Sequence, residues 1–409
     1  MNDELQALII KEFPKLKTQE DLLHLLNHIK RKLCNDEKCT PLRMRSLNYY
    51  KNIQVSKNNR YKTFTIRKKS GKYRTINAPV PGLKIFQMCL NEIFKSYYKP
   101  NKAVCGFVSG RSVVDGARYH VDKKYVLNID LKDFFDSIEF YRIKSMLSYP
   151  PFNIKDDKGD SQSLSYVIAN LCCHPKEVVR LDSAMNEVTV IRSVLPQGAP
   201  TSPILTNLIC RQLDKRLYDL AKRFHVTYTR YADDMTFSAN KNIFQEDSDF
   251  RLELKRIVEN QKFRINDEKT RIQSRKYRQE VTGLVVNKKL NVTKRYVKQL
   301  RMWIYLWEQY GYDKAYGYFL RDYKQDKGHV KSTTPLMENV IAGKLDYYKM
   351  IVGENNQSYL QLKNRLDQLM NGYNVIQALN NKKENINKTN KKSDDDITNI
   401  LRLLVDRLG

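Results

Sequence analysis

The sequence predicts an α+β fold, and three observations predict it. Lys123 to Ile129 is a short apolar strand running into Asp130. Thr227 to Ser238 reads as strand, turn and strand, with Asp233-Asp234 at its tip. Ala199 to Phe224 between them, and most of the chain after Thr293, has helical spacing. At 409 residues the chain can bury a substantial core, and one or two domains are expected.

Taken in order, the first 50 residues read as helices, with Leu22, Leu23, Leu26 and Ile29 recurring at helical intervals. Tyr61 to Ile66 alternates as a strand, Lys69-Ser70-Gly71-Lys72 is a turn, and Tyr73 to Asn77 returns as a second strand. The result is a basic hairpin. Pro79, Pro81 and Gly82 end it, and Leu83 to Tyr98 is helical up to Pro100. Pro200 and Pro203 break the start of the helical stretch after Ala199. Beyond Thr293 the helical pattern is dense in aromatics, including Trp303, Tyr305, Trp307, Tyr310, Tyr312, Tyr316, Tyr318 and Phe319. Residues 380–392 are Asn/Lys-rich and read as a linker. Ser393 then caps a last amphipathic helix with Ile397, Ile400, Leu401, Leu404 and Leu408 on one stripe. That stripe suits either packing back on the preceding helices or docking another protein or a second copy of the chain. No internal repeat is visible.

Charge narrows the partner. The 73 Lys+Arg against 45 Asp+Glu give a formal +28 and a pI near 9.6, a field that favours a polyanion. Lys51 to Thr75 carries nine Lys/Arg and no acid, and Lys288 to Arg301 carries six and no acid. No apolar run is long enough to span a membrane and the acidic start MNDELQ is not a signal peptide, so a cytoplasmic location and no membrane partner are expected. Seven cysteines, sparse and odd in number, suggest buried reduced thiols. Cys34 and Cys39 are too loosely spaced for a zinc half-site, Cys172-Cys173-His174 lacks a second pair, and His24 and His28 read as helix surface.

The acids point to chemistry. Joining a nucleotide to a hydroxyl needs two metals about 3.5–4 Å apart. Mg²⁺, with Mn²⁺ as a substitute, prefers hard oxygen ligands and needs only a few protein carboxylates. Asp130 at the end of one apolar strand and Asp233-Asp234 on an apolar hairpin can converge on one point. Without a cation they would repel. An ordinary acidic turn explains YADD alone, but not YADD a hundred residues after a strand-terminal Asp with LPQGAPTSP between them.

In that order and spacing, IDLKDFF, LPQGAPTSP and YADD resemble the three palm motifs of the reverse transcriptase family, over about Arg67 to Asn287. The resemblance implies a right-hand polymerase fold with fingers, palm and a mostly helical thumb. Its divisions would be a helical N-terminal segment and fingers over 1–120, a palm over 121–287, an RNA-binding thumb over 288–379, the linker over 380–392 and the final helix over 393–409. It also implies Asp130 and Asp233 as metal ligands, Asp234 as the supporting carboxylate, and the Leu131 backbone as a further metal contact. Gln197 and Gly198 would line the nucleotide pocket, with Arg74, Arg67 and Lys72 on the triphosphate. Phe135 falls where the family places the ring that excludes a ribose 2′-hydroxyl; Asp136 is one position too far to accept a bond from it. Lys269 matches a palm lysine that serves the leaving pyrophosphate. A core Phe135 and a surface Lys269 are the plainer alternatives.

Two further segments resemble bacterial retron reverse transcriptases. CGFVSGRSVVDGARYH is similar to their insertion, whose signature is Asn-Ala-x-x-His: Ala117 and His120 match, and Gly116 replaces the Asn. Val281-Thr282-Gly283 matches their Val-Thr-Gly. His120 is otherwise a satisfied core histidine. The resemblance implies RNA binding at these residues and at Lys294, Arg295, Lys298 and Arg301 on a thumb helix. The partners it implies are deoxynucleoside triphosphates, a cognate structured noncoding RNA and its cDNA, a separate effector protein and a host ribonuclease H. Synthesis would start at the 2′-hydroxyl of an internal guanosine and yield branched multicopy single-stranded DNA, in antiphage defence. Another bacterial defence or group II intron-like reverse transcriptase, and a catalytically silent RNA-binding scaffold, are the alternatives.

Overall fold

The computed structural model describes residues 3–34, 39–56, 59–67, 71, 73–155, 162–184, 186–327 and 334–372. Lys72, the 380–392 linker and the 393–409 helix lie outside them. The chain divides into two compact units, Met1–Leu290 and Asn291–Gly409.

The first unit opens with helices α1 (Asp3–Glu12), α2 (Gln19–Cys34), α3 (Met44–Lys51) and α4 (Ile53–Ser56). On α2 the buried stripe is Leu22, Leu25, Leu26 and Ile29, the i, i+3, i+4, i+7 set of a core-facing helix. Leu23, expected in that stripe, is only partly buried, while His24 lies exposed on the polar side as expected. Cys34 is exposed with its Sγ 2.8 Å from that of half-buried Cys39, so the expectation of buried thiols fails for this pair. The other five cysteines are buried and free.

Strands β1 (Tyr61–Arg67) and β2 (Tyr73–Pro79) form the basic hairpin. The expected alternation of burial is absent from β1, where only Tyr61 is buried. Arg60 just before it is fully buried and donates to the carbonyls of Tyr50, Asn170 and Cys173 and to Ser56 Oγ. Helix α5 (Pro81–Tyr97) starts with Pro at its first position, where no intrahelical N–H is lost, and buries Leu83, Phe86, Leu90, Ile93 and Phe94. The short α6 (Val113–Arg118) is capped by Ser112 and Asp115 in a reciprocal capping box.

Next come β3 (Tyr125–Leu131), α7 (Phe140–Ser148), α8 (Leu164–Cys172), the hairpin β4 (His174–Leu181) and β5 (Glu187–Val194), α9 (Ser202–Ile209), α10 (Arg211–Arg223), β6 (Thr227–Tyr231), β7 (Asp234–Ala239), α11 (Asp249–Asn260) and β8 (Ile265–Ser274). The central sheet runs β6-β7-β3-β8, all antiparallel. Because β3 is central and covered on both faces, it reads as a continuous apolar run. A two-residue pair, β9 (Glu280–Val281) and β10 (Leu284–Val285), closes the unit.

In the second unit α12 (Lys294–Lys327) is two helices broken at Gly311, whose φ of 78° is open to glycine but strained for other residues. Trp303, Trp307 and Phe319 are buried with Met337, Ile341 and Leu345 of α13 (Met337–Val352). Tyr305, Tyr310 and Tyr318 are exposed, so only part of the aromatic pattern is core. A further helix covers 357–372. Among the described residues no helix is long and apolar enough to cross a membrane.

Candidate active site

Pairing of β3 with β7 brings the acids together. Asp130 stands directly across the ladder from Asp234, and the Leu131 N–H donates to the Asp233 carbonyl at 3.1 Å. Residues opposed in an antiparallel pair point to one face, so Asp130 and Asp234 share it. Ala232 takes φ 58° to turn the chain. On the other side of β3 the register with β8 breaks between Asn128 and Asp130, where residues 266–271 of β8 face only 128–130. Such a bulge re-aims side chains. Here Asn266 Nδ2 and Lys269 Nζ both reach Asp130 Oδ1, at 3.0 and 2.8 Å.

Asp130, Asp234, Lys269, Arg271, Thr282 and Gly283 share the wall of a cavity of about 530 Å³. Burial first, then the Asp130 charge, raises the Asp233 carboxyl; burial, then Asp233 and Asp130, raises Asp234 to about 6. Lys269 opposes both shifts, Arg74 that of Asp233 and Arg271 that of Asp234. Among the described residues no three His, Cys, Asp or Glu side chains stand close enough to hold one ion. The trio is therefore an open set rather than a closed cage. Mg²⁺ fits that set, since it takes one or two carboxylates and completes its shell with phosphate oxygens and water. The donors are all hard oxygens, and their mutual repulsion is what a cation relieves.

The residues expected to handle the nucleotide divide. The hairpin register sets Arg74 opposite Ile66 and Arg67 opposite Tyr73, so the two arginines leave the hairpin on opposite faces. Gly198 has φ 123°, and a Cβ there would stand 2.8 Å from the Asn77 carbonyl oxygen and 2.9 Å from Ile76 Cγ2. The Gln197 carbonyl accepts from the Asn77 N–H at 2.8 Å. The loop holding both residues is thus seated on β2 by close backbone contact. Phe135 is half-buried, its ring 5.6 Å from Phe134 and 6.5 Å from Phe107. Asp136 is paired with Lys176 at 2.6 Å, turned toward β4.

Three residues expected at RNA are buried instead. Ala117 and His120 are both fully buried. His120 Nδ1 lies 2.7 Å from Ser238 Oγ and Nε2 2.7 Å from Thr229 Oγ1, and burial lowers the imidazole to about 3, so it is neutral. It is a satisfied core histidine, unable to touch RNA. Val281 is likewise buried, paired with Leu284, while Thr282 and Gly283 at positive φ make the turn on the cavity wall. In the second unit Lys294, Arg295, Lys298 and Arg301 are exposed along α12, the first three around a groove of about 420 Å³ with Gln299, Met302, Asp322 and Gln325.

Sequence reasoning missed Arg230. Fully buried, it grips Asp214 through Nε and Nη2, both at 2.7 Å, and donates from Nη1 to the Ala232 carbonyl at 2.9 Å. Tyr228 donates its hydroxyl to Asp214 at 3.0 Å. The available signals were slight: Arg230 immediately precedes Tyr231, and Asp214 adjoins the Leu213, Leu217, Leu220 stripe of α10.

A family model described as "Reverse transcriptase (RNA-dependent DNA polymerase)" matches residues 66–298. The retron Mx162 and Mx65 reverse transcriptases of Myxococcus xanthus are each 38% identical, over 237 and 242 residues. Those alignments take in 56% and 59% of this chain, and 47% and 54% of the relatives, so the chain spans about half the length of both. The retron Ec86 reverse transcriptase of Escherichia coli is 31% identical over 247 residues, 59% of this chain and 68% of the relative.

Proposed function

Because the chain belongs to the reverse transcriptase family, among the retron reverse transcriptases of bacteria, we propose that it is an RNA-directed DNA polymerase that copies a structured noncoding RNA of its own. One observation carries the reading: Asp130 and Asp234 are cross-strand partners, with Asp233 at the turn between strands, beside an open cavity. Asp130, Asp233 and Asp234 would hold two Mg²⁺ ions, or Mn²⁺ in their place, with the Leu131 backbone beside them. When bound, the ions activate a primer hydroxyl and neutralise the triphosphate.

The chain's own groups supply the rest. Arg74 gives positive charge on the side of Asp233, and Gln197 and Gly198 form the pocket wall against β2. Phe135 blocks a 2′-hydroxyl. Lys269 presents an ammonium to the pyrophosphate side while fixing the Asp130 carboxylate. Lys294, Arg295, Lys298 and Arg301 meet RNA phosphates, and exposed Tyr305 offers a stacking surface beside them. Priming from an internal guanosine 2′-hydroxyl, branched single-stranded DNA as product, a separate effector protein, trimming by a host ribonuclease H and a role in antiphage defence complete the proposal.

Purified protein given Mg²⁺, deoxynucleotides and primed RNA should extend the primer, and Asp233→Asn/Asp234→Asn should reduce extension by roughly 10³-fold or more. Extension surviving the double substitution would sink the mechanism. Nucleic acid that co-purifies should contain DNA joined to RNA by a bond that debranching enzyme cleaves; DNA starting from a free 3′ end counts against retron priming. Phe135→Ala should let ribonucleotides compete, and unchanged sugar selectivity would leave the ring a purely packing role.

A further inference from the structure

We infer that the segment from Ala103 to His120 is a clamp on the catalytic hairpin, and that His120 is a positioning residue that acts on Asp233 and Asp234 through the strands carrying them. The inference rests on reading those acids as catalytic. Its observations are separate from theirs.

β6 is the outer strand of the sheet, and among the described residues no other strand of the sheet pairs with its free edge. The segment covers that edge: Arg230 N–H donates to the Ala103 carbonyl and Cys105 N–H to the Arg230 carbonyl, both at 2.8 Å. The Gly106 carbonyl accepts from Asn207 Nδ2 at 2.9 Å. The backbone at Gly106 runs so near β6 that a Cβ there would collide with the Ala232 nitrogen. From there the chain passes through α6 and ends at His120, inside the protein.

The imidazole then ties the two hairpin strands to each other. Thr227 stands opposite Ser238 and Thr229 opposite Thr236, so Thr229 and Ser238 are diagonal neighbours on one face. His120 bonds to both. Thr229 lies four residues before Asp233 and Ser238 four residues after Asp234, so the bridge spans the loop that presents the acids. A neutral ring has one donor and one acceptor nitrogen, and each hydroxyl can take the complementary role. Sliding one strand past the other would break one of the two bonds. Catalytic groups must be held within about 0.5 Å, and a 1 Å misplacement costs roughly 10²-fold in rate.

The test compares wild type, His120→Leu and His120→Gln. Gln offers one donor and one acceptor from adjacent atoms, whereas Leu offers neither. The readouts are kcat on poly(rA) primed with oligo(dT), the Mg²⁺ concentration giving half-maximal rate, the affinity for that primer–template, and the RNA recovered per mole of purified protein. His120→Leu should lower kcat by about 10²-fold and raise the Mg²⁺ midpoint several-fold, with primer–template affinity and recovered RNA unchanged. His120→Gln should recover most of the rate.

Loss of recovered RNA with kcat intact would overturn the clamp in favour of RNA reading. Equal loss in both variants at an unchanged Mg²⁺ midpoint would overturn it in favour of plain fold support. Should His120→Leu fail to fold, Ser238→Ala removes one of the two bonds at little cost in volume and must move the Mg²⁺ midpoint in the same direction. Wild type that does not extend with Mg²⁺ refutes the catalytic reading, and with it the premise of the clamp.

Discussion

Hairpin β1–β2 carries Arg67 and Arg74 on strands with only one buried position each, whereas hairpin β6–β7 presents Asp233 and Asp234 on strands buried at most positions. The first is seated on the loop at Gln197 and Gly198 by backbone contact. The second is gripped from three sides: β3 by its ladder, Asp214 by the Arg230 fork, and the insertion by His120. The difference suits the ligand proposed for each. Two metals impose a fixed geometry, so their ligands gain from being held before substrate arrives. A triphosphate carries spread negative charge, which a cation on an exposed strand can meet without a rigid frame.

Substitutions can break this comparison, the most damaging first. Arg230→Ala leaves Asp214 buried and uncompensated, and should cost about 3–5 kcal/mol of stability, read by denaturant melts. A loss below about 1 kcal/mol would mean that the hairpin is not held from that side. Arg74→Ala should leave the melt unchanged and raise the deoxynucleotide KM about tenfold or more, as expected for a lost charge-assisted bond. Arg67→Ala, on the opposite face, should change KM by less than about threefold, in the range of an exposed charge. Equal effects from the two arginines would show that the hairpin register does not govern which side chain meets phosphate.

The smallest effect sharpens the picture of the acids. Asp234 titrates at about 6 in the folded chain, against about 3.9 in an unfolded one. Between those values the folded protein keeps a proton that the unfolded chain has lost, so metal-free stability falls as pH rises from about 4 to about 6. Asp234→Asn should melt like wild type at pH 4 and above it at pH 7.5, and Mg²⁺ added to wild type should narrow the gap. Superimposable curves at both pH values would contradict strained carboxylates.

Much of the acid-bearing hairpin was legible because short apolar strands ending in acids leave a local mark; β3 and Thr227 to Ser238 lie within two residues of expectation. Strand β8 was less so. Its residues INDEKTRIQS are mostly polar, and they form a strand only through β3, whose bulge then brings Lys269 to Asp130. Hairpin β4–β5 went unread although Glu187, Val188, Thr189 and Val190 alternate polar and apolar in β5. His120 was found by motif, with RNA contact and a core position both left open. Its hydroxyl partners are more than a hundred residues away in sequence, and only the folded sheet makes them adjacent. Arg230 was hidden for the same reason, since a charge in a strand reads as surface until Asp214 is placed beside it.

Gly106 gives the insertion a consequence for engineering. No residue with a side chain fits there without displacing the Ala232 nitrogen, and the ring at 120 takes its two hydrogen bonds from the pair at 229 and 238. An insertion borrowed from another enzyme would therefore not graft onto this palm as a free-standing loop. Residues 103–120 and 227–239 would have to move together, with Asn207 and Asp214 that hold them from outside, and chimeras that split them should express poorly or polymerise slowly even with Asp130, Asp233 and Asp234 in place.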